Sequence, residues 1–180
     1  MDKDKNKSQE EGKVIAHFGT FDFTGKGPGT FCGGVIKLWA NPQEDLLDSA
    51  MSFLKAADRC LNGCKVEEGI EMLTVPGAVC ASFSCELFLK YILLIESGQE
   101  ARGHSLTDLF GKCSESIQSA IVGRKADILE IFERNNRQFI EARYHHEKDI
   151  FSFRQQELLQ AAELLSNYIK EKYKKETPNK

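Results

Sequence analysis

The densest polar cluster in the chain is Arg143-Tyr144-His145-His146-Glu147. Histidine exchanges protons near neutral pH, and arginine presents a rigid fork that grips phosphate through paired hydrogen bonds. Together they suit a phosphate-bearing ligand. Metal-independent RNA cleavage needs a base that takes the proton of a ribose 2′-hydroxyl, which a positioned histidine supplies. His145 and His146 are therefore the candidate acid–base residues, and Arg143, Arg137 and Tyr144 the candidate ligand-binding residues. On a helix, Glu141 and His145 stand one turn apart, as do Arg143 and Glu147. The same cluster also suits a solvated helix end, where cations oppose the negative end of the dipole for about 0.3–1 kcal/mol. Arg134, Arg137, Arg143 and Lys148 likewise form either a basic strip or, with Glu130, Glu133, Glu141 and Glu147, intrahelical ion pairs.

Two other places carry chemistry. His104, in Gly103-His104-Ser105, precedes a helix start, where an anion would meet free N–H groups and the positive dipole end. It equally fits a loop histidine that fixes the turn. Glu86 and Lys90 stand one turn apart and fit a partly buried pair that sets helix register. No metal is expected: the consecutive His145-His146-Glu147 diverge around a helix and cannot chelate as a His-x-x-x-His pair does. Gly25-Lys26-Gly27-Pro28-Gly29-Thr30 lacks the spacing of a phosphate-binding loop, so no cofactor is expected either.

The elements that must position these groups follow from composition and period. The chain has 180 residues, 41% hydrophobic and 28% charged, with a net charge of −3. That is one globular domain without the broad basic surface of a general duplex-binding protein. Six cysteines (Cys32, Cys60, Cys64, Cys80, Cys85 and Cys113) in a chain this long, with no signal peptide, read as reduced thiols of a cytoplasmic protein. Cys80 and Cys85 sit in an apolar run and read as small core residues. The most apolar stretch, Leu87 to Ile95, is interrupted by Lys90 and falls short of the roughly 20 residues a membrane span needs.

Residues 1–13 are a charged, disordered tail, with four Lys against four Asp and Glu. Residues 14–41 are an extended arm rich in Gly and Phe, with a strand-like alternation at Val14, Ala16 and Phe18. Phe18, Phe21, Phe23 and Phe31 call for burial on the chain's own bundle or on a second copy. Residues 42–174 are helical and 175–180 are a disordered basic tail. Helices are expected near 43–61, 77–97, 105–121, 125–146 and 149–173. Their stripes include Leu47, Ala50, Leu54, Ala57 and Leu61 in the first, and Leu106, Leu109, Phe110, Cys113, Ile117 and Ile121 in the third. Ser105-Leu-Thr-Asp108 fits a capping box. The fold class is all-α, an up-and-down bundle of four or five helices behind the arm.

The helical part resembles the HEPN superfamily (higher eukaryotes and prokaryotes nucleotide-binding). The resemblance rests on Ser84-Cys-Glu86-Leu-Phe-Leu-Lys90, similar to the family's Glu-Leu-x-Leu-Lys, and on Gly103-His104-Ser-Leu106-Thr-Asp-Leu109-Phe110, similar to its Gly-His-x-Leu-x-x-Leu-Phe. Ser49 to Ala57 resembles the first helix, and Phe139-Ile-Glu-Ala-Arg143-Tyr144 an aromatic stretch on a late one. The resemblance implies a helical bundle that interacts with RNA or nucleotide, and a homodimer. It also implies a ribonuclease of a toxin–antitoxin or defence system, or a non-catalytic protein-binding or scaffold module. An antitoxin or a nucleotidyltransferase is the partner protein implied, and no membrane is. Active members carry Arg, four to six residues, then His. Here Arg137 to His145 leaves seven residues between, Arg143 to His145 one and Arg143 to His146 two, so the cleavage motif is not matched.

Overall fold

In the computed structural model the described residues are 12–16, 19–23, 42–136 and 154–173. The contacts divide the chain into two units, Met1–Ala40 and Asn41–Lys180. In the first, β1 (Gly12–Ala16) and β2 (Gly19–Phe23) pair antiparallel, with Gly12 opposite Phe23 and Ala16 opposite Gly19.

The second unit is helical. α1 (Pro42–Leu61) opens on a proline, whose missing N–H is needed by no partner in a first turn. Glu44 and Asp45 in its first turn and Arg59 in its last match the dipole. The expected stripe faces inward: Ala50, Ala57 and Leu61 are buried, and Leu47 and Leu54 pack against the core. Gly63, at φ +70°, turns the chain in the left-handed conformation that glycine adopts without penalty.

A short hairpin that the periodicity did not announce follows: β3 (Cys64–Val66) and β4 (Gly69–Glu71), with Val66 opposite Gly69. Three-residue strands are too short to show an alternation. α2 (Thr74–Ser97) then begins three residues earlier than the expected 77, with Pro76 inside its first turn. It ends where expected, at Gly98, whose N–H donates to the Leu94 carbonyl at φ +69°.

α1 and α2 run antiparallel. The Leu73 N–H donates to the Cys60 carbonyl at 3.0 Å, Phe53 meets Phe83 edge-on at 4.6 Å, and Ser84 Oγ donates to the Ala50 carbonyl at 2.9 Å. At Gly77 the two helices leave no room for a side chain: a Cβ there would come within 2.6 Å of Leu61 Cδ2. α2 is the central helix, buried on several sides through residues such as Ala81, Cys85, Phe88, Leu89 and Ile92. Its 24 residues are long and apolar enough to cross a membrane, which corrects the shorter apolar stretch taken from the sequence. Of the most apolar window, 72% is buried inside the molecule, as befits a core helix.

The expected third helix is two. α3 (Leu106–Gly111) and α4 (Glu115–Val122) are separated at Ser114, which is extended at φ −59°, ψ 151°. There the Ser114 N–H and Oγ donate to the Glu96 carboxylate at 3.3 and 2.6 Å. The apolar stripe runs through the break, with Leu106, Leu109, Phe110, Cys113, Ile117 and Ile121 all buried, so its period did not reveal it. α5 (Ile128–Arg134) and α6 (Gln155–Tyr173) complete the unit, and Phe110 and Phe132 meet in the core at 5.5 Å. α2 packs against α1, α3 and α6. Residues 137–146 of the expected fourth helix and 149–153 of the fifth lie outside the described residues.

Cys60, Cys80, Cys85 and Cys113 are free thiols. Cys85 is buried as expected, whereas Cys80 is only half-buried. Burial pushes the Cys85 thiol up, and burial with the nearby Glu96 charge pushes the Cys113 thiol up to about 12. A raised pKa keeps both protonated at neutral pH, where the thiolate is the reactive form. In a timed alkylation of the native protein at pH 8, Cys60 is expected to label well before Cys85 and Cys113. Mass spectrometry of the labelled peptides checks this, and equal labelling would show that the core opens readily.

Candidate functional site

The site is built on one buried carboxylate. Glu86, in the middle of α2, is 1% exposed. Its Oε1 accepts from Lys90 Nζ at 2.8 Å, one turn along the same helix. Both of its oxygens face His104 Nδ1, at 3.0 and 3.1 Å. A carboxylate in so dry a place needs charged and hydrogen-bonding partners, and these two supply them. The expected Glu86–Lys90 pair is present, and it is a triad.

His104 sits in the loop between α2 and α3, and its side chain is 49% exposed. The structure gives it the loop-fixing role and makes its anion internal: the negative charge it meets is Glu86. A carboxylate accepts only, so Nδ1 carries a proton and donates it to Glu86. A carboxylate that sets tautomer and orientation in this way is how an imidazole is held as a base.

The loop itself is held by a residue that sequence reasoning passed over. Asn136, just after α5, accepts through Oδ1 from Ser105 Oγ at 2.9 Å, Thr107 N–H at 3.0 Å and Thr107 Oγ1 at 2.9 Å. Its backbone carbonyl accepts from the Leu106 N–H at 3.2 Å. Half of the expected capping box is present, with Ser105 Oγ accepting from the Asp108 N–H at 3.1 Å. The rest of the α3 start is capped from α5 by Asn136, so the N–H groups that an outside anion would need are occupied. The available signal was the pair Asn135-Asn136 in a helical pattern, since asparagine disfavours helix interiors and favours ends. Asn135, placed on the apolar stripe by its spacing, is indeed buried, and its Nδ2 donates to the Ile131 carbonyl at 2.8 Å.

Arg137, Arg143, Tyr144, His145 and His146 lie outside the described residues. Asn136 is the residue that immediately precedes Arg137 in the chain, so the segment carrying all five is joined covalently to the site at that residue. Arg134 pairs with Glu157 at 3.1 Å and Glu130 at 3.5 Å, and Arg154 pairs with Glu157 at 3.1 Å. The Arg134 part of the expected basic strip is thus matched by carboxylates. Burial alone would raise the Glu157 carboxyl; the hydrogen bonds from Arg154 and Arg134 outweigh that and hold it below the usual carboxylate range. A depressed pKa contributes stability above the ordinary carboxylate range, and that contribution is lost as pH falls through the folded value. Glu157→Gln is therefore expected to cost under about 1 kcal/mol at neutral pH and progressively less as the pH falls below the ordinary carboxylate range, a trend read by urea unfolding across that pH range. Among the described residues no group of three His, Cys, Asp or Glu is arranged to hold a metal ion.

The bundle has a central helix with a buried carboxylate, which is met by Lys90 from the segment 84–90 and by His104 from the segment 103–110. These are the two stretches whose wording resembles the HEPN pattern. The chain belongs to the HEPN domain family, whose family model matches residues 43–173. No curated protein and no solved structure matches the chain.

Proposed function

We propose that this HEPN domain binds a phosphate-bearing ligand, RNA or a nucleotide, at the site founded on Glu86 and continued by the segment after Asn136. The observation that carries this reading is the half-exposed His104 ring, held at Nδ1 by a fully buried carboxylate beside Lys90. A ring so anchored holds a fixed orientation at the surface, beside a lysine. Arg137, Arg143 and Tyr144 are the proposed ligand-binding residues. His145 and His146 are the proposed acid–base residues should the domain cleave RNA, as a ribonuclease of a toxin–antitoxin or defence system in the cytoplasm. The unmatched Arg–His spacing favours binding over cleavage.

The test is binding of single-stranded RNA by wild type and Arg143→Ala at two stated salt concentrations, alongside thermal stability. Losing one charge-assisted fork should weaken binding roughly tenfold, with stability changed by no more than about 0.5 kcal/mol. Unchanged affinity with a large loss of stability would make the cluster structural and the reading wrong. RNA degradation by the wild type that disappears in His145→Ala and His146→Ala would establish cleavage as well.

A second reading, a non-catalytic protein-binding or scaffold module that pairs with itself, is favoured by a different observation. Val66, Ile70, Met72 and Leu73, on and just after the β3–β4 hairpin, are all exposed, Ile70 to 72%. Apolar side chains gathered in this way mark contact surfaces. Sedimentation at micromolar concentration decides it: a dimer supports this reading, and a monomer counts against self-pairing.

A further inference from the structure

Of the five large apolar side chains exposed among the described residues, four lie on or just after the β3–β4 hairpin: Val66, Ile70, Met72 and Leu73. Every residue from 65 to 73 is exposed, so this stretch does not serve the chain's own core. The backbone is open as well. The sheet has two strands, so β4 has β3 on one side and, among the described residues, no strand on the other. Such an edge presents unpaired N–H and C=O groups, a template for a further extended segment.

The apolar side chains alone would suit a second copy of the chain. The charges beside them favour a different occupant. The hairpin carries three carboxylates, Glu67, Glu68 and Glu71, against one ammonium, Lys65. Among the described residues none of the three carboxylates takes part in a salt bridge. Two copies meeting here would bring like charges together, whereas a cationic segment is drawn to them. The pleat sorts the two kinds of contact. Successive side chains of a strand point to opposite faces, so Ile70 lies on one face of β4 and Glu71 on the other.

We propose that the open edge of β4 docks an extended segment of a different protein, in which apolar residues alternate with lysine or arginine. Its backbone adds a strand beside Gly69–Glu71. Its apolar side chains fall on the Ile70 face and its cations on the Glu71 face, with Glu67 and Glu68 at the turn adding to the attraction. This rests on the protein-binding reading of the module and names another protein, in place of a second copy, as what the hairpin holds.

The experiment titrates the full chain with an end-blocked hexapeptide that alternates lysine and isoleucine. Two controls replace the lysines by glutamate or the isoleucines by serine. Amide NMR spectra at neutral pH and low salt report where each binds. The lysine–isoleucine peptide should shift the signals of Gly69, Ile70 and Glu71 and bind about fivefold more tightly than either control, the upper end for one exposed ion pair. Glu67→Gln, Glu68→Gln and Glu71→Gln together should remove most of the preference for lysine over glutamate, and Ile70→Ser should remove most of the preference for isoleucine over serine. Equal affinity for the lysine and glutamate peptides, shifts confined to other parts of the chain, or no shift at millimolar peptide would each overturn the proposal. Sedimentation separates it from self-pairing. A dimer that Ile70→Ser dissociates would seat a second copy on the hairpin, upholding that reading and overturning this proposal. A monomer that binds the lysine–isoleucine peptide at β4 would do the reverse, and a monomer that binds no peptide would overturn both.

Discussion

Lys90→Met is expected to lower the folding stability by about 2–3 kcal/mol. Glu86 is buried to 1% exposure, and Lys90 is one of the two groups that compensate its charge. Breaking a buried pair by removing one partner typically costs about 3–5 kcal/mol, because a charge is left without its counterion. His104 remains within 3.1 Å of the carboxylate and takes up part of that loss, which sets the estimate below the full range. The double variant Glu86→Leu with Lys90→Met is expected to recover most of the stability, since apolar side chains of similar volume replace a buried pair at little net cost. Urea unfolding at constant m reads both variants. A single variant within about 0.5 kcal/mol of wild type would show that the pair does not support the fold. Full recovery in the double variant together with lost RNA binding would separate the functional use of the triad from its structural one.

Asn136→Ala is expected to cost about 2 kcal/mol. The side chain accepts three hydrogen bonds at 2.9–3.0 Å from Ser105 and Thr107. Loss of a helix cap costs about 0.5–2 kcal/mol, and a partly buried donor left unpaired adds to that. Asn136→Asp keeps an accepting oxygen and adds a negative charge near the α3 start, so it should stay within about 0.5 kcal/mol of wild type. The pair of variants also bears on the site, because the same loop carries His104. If Asn136 positions that loop, the His104 ring signals should shift in Asn136→Ala and be restored in Asn136→Asp. Equal stability losses in the two variants would mean that the contact acts through size rather than hydrogen bonding.

The helices most clearly written in the sequence are those whose ends carry local chemistry. Pro42 opens α1, Gly63 turns the chain after it, and Gly98 closes α2. Ser105 caps α3 through its own hydroxyl. Each is a backbone effect decided within a few residues, so it survives without knowledge of the fold. The inward stripes of α1 and of the α3–α4 region were legible for the same reason, since a period of 3.6 selects one face whatever lies opposite. Of the site, the Glu86–Lys90 pair was legible because its members are one turn apart on one helix.

Contacts that join distant segments needed the tertiary structure. The break at Ser114 depends on Glu96, eighteen positions back along the chain. The completion of the triad depends on His104, eighteen positions from Glu86, and the α3 cap on Asn136, twenty-nine to thirty-one positions from its donors. No local pattern encodes such pairs, because their energy comes from desolvating polar groups against one another after the helices have packed. The sequence by itself therefore determined an all-α chain with its main helices and inward faces. Packing decided that the Glu86 carboxylate is buried at the centre and that a histidine eighteen positions along the chain comes to it.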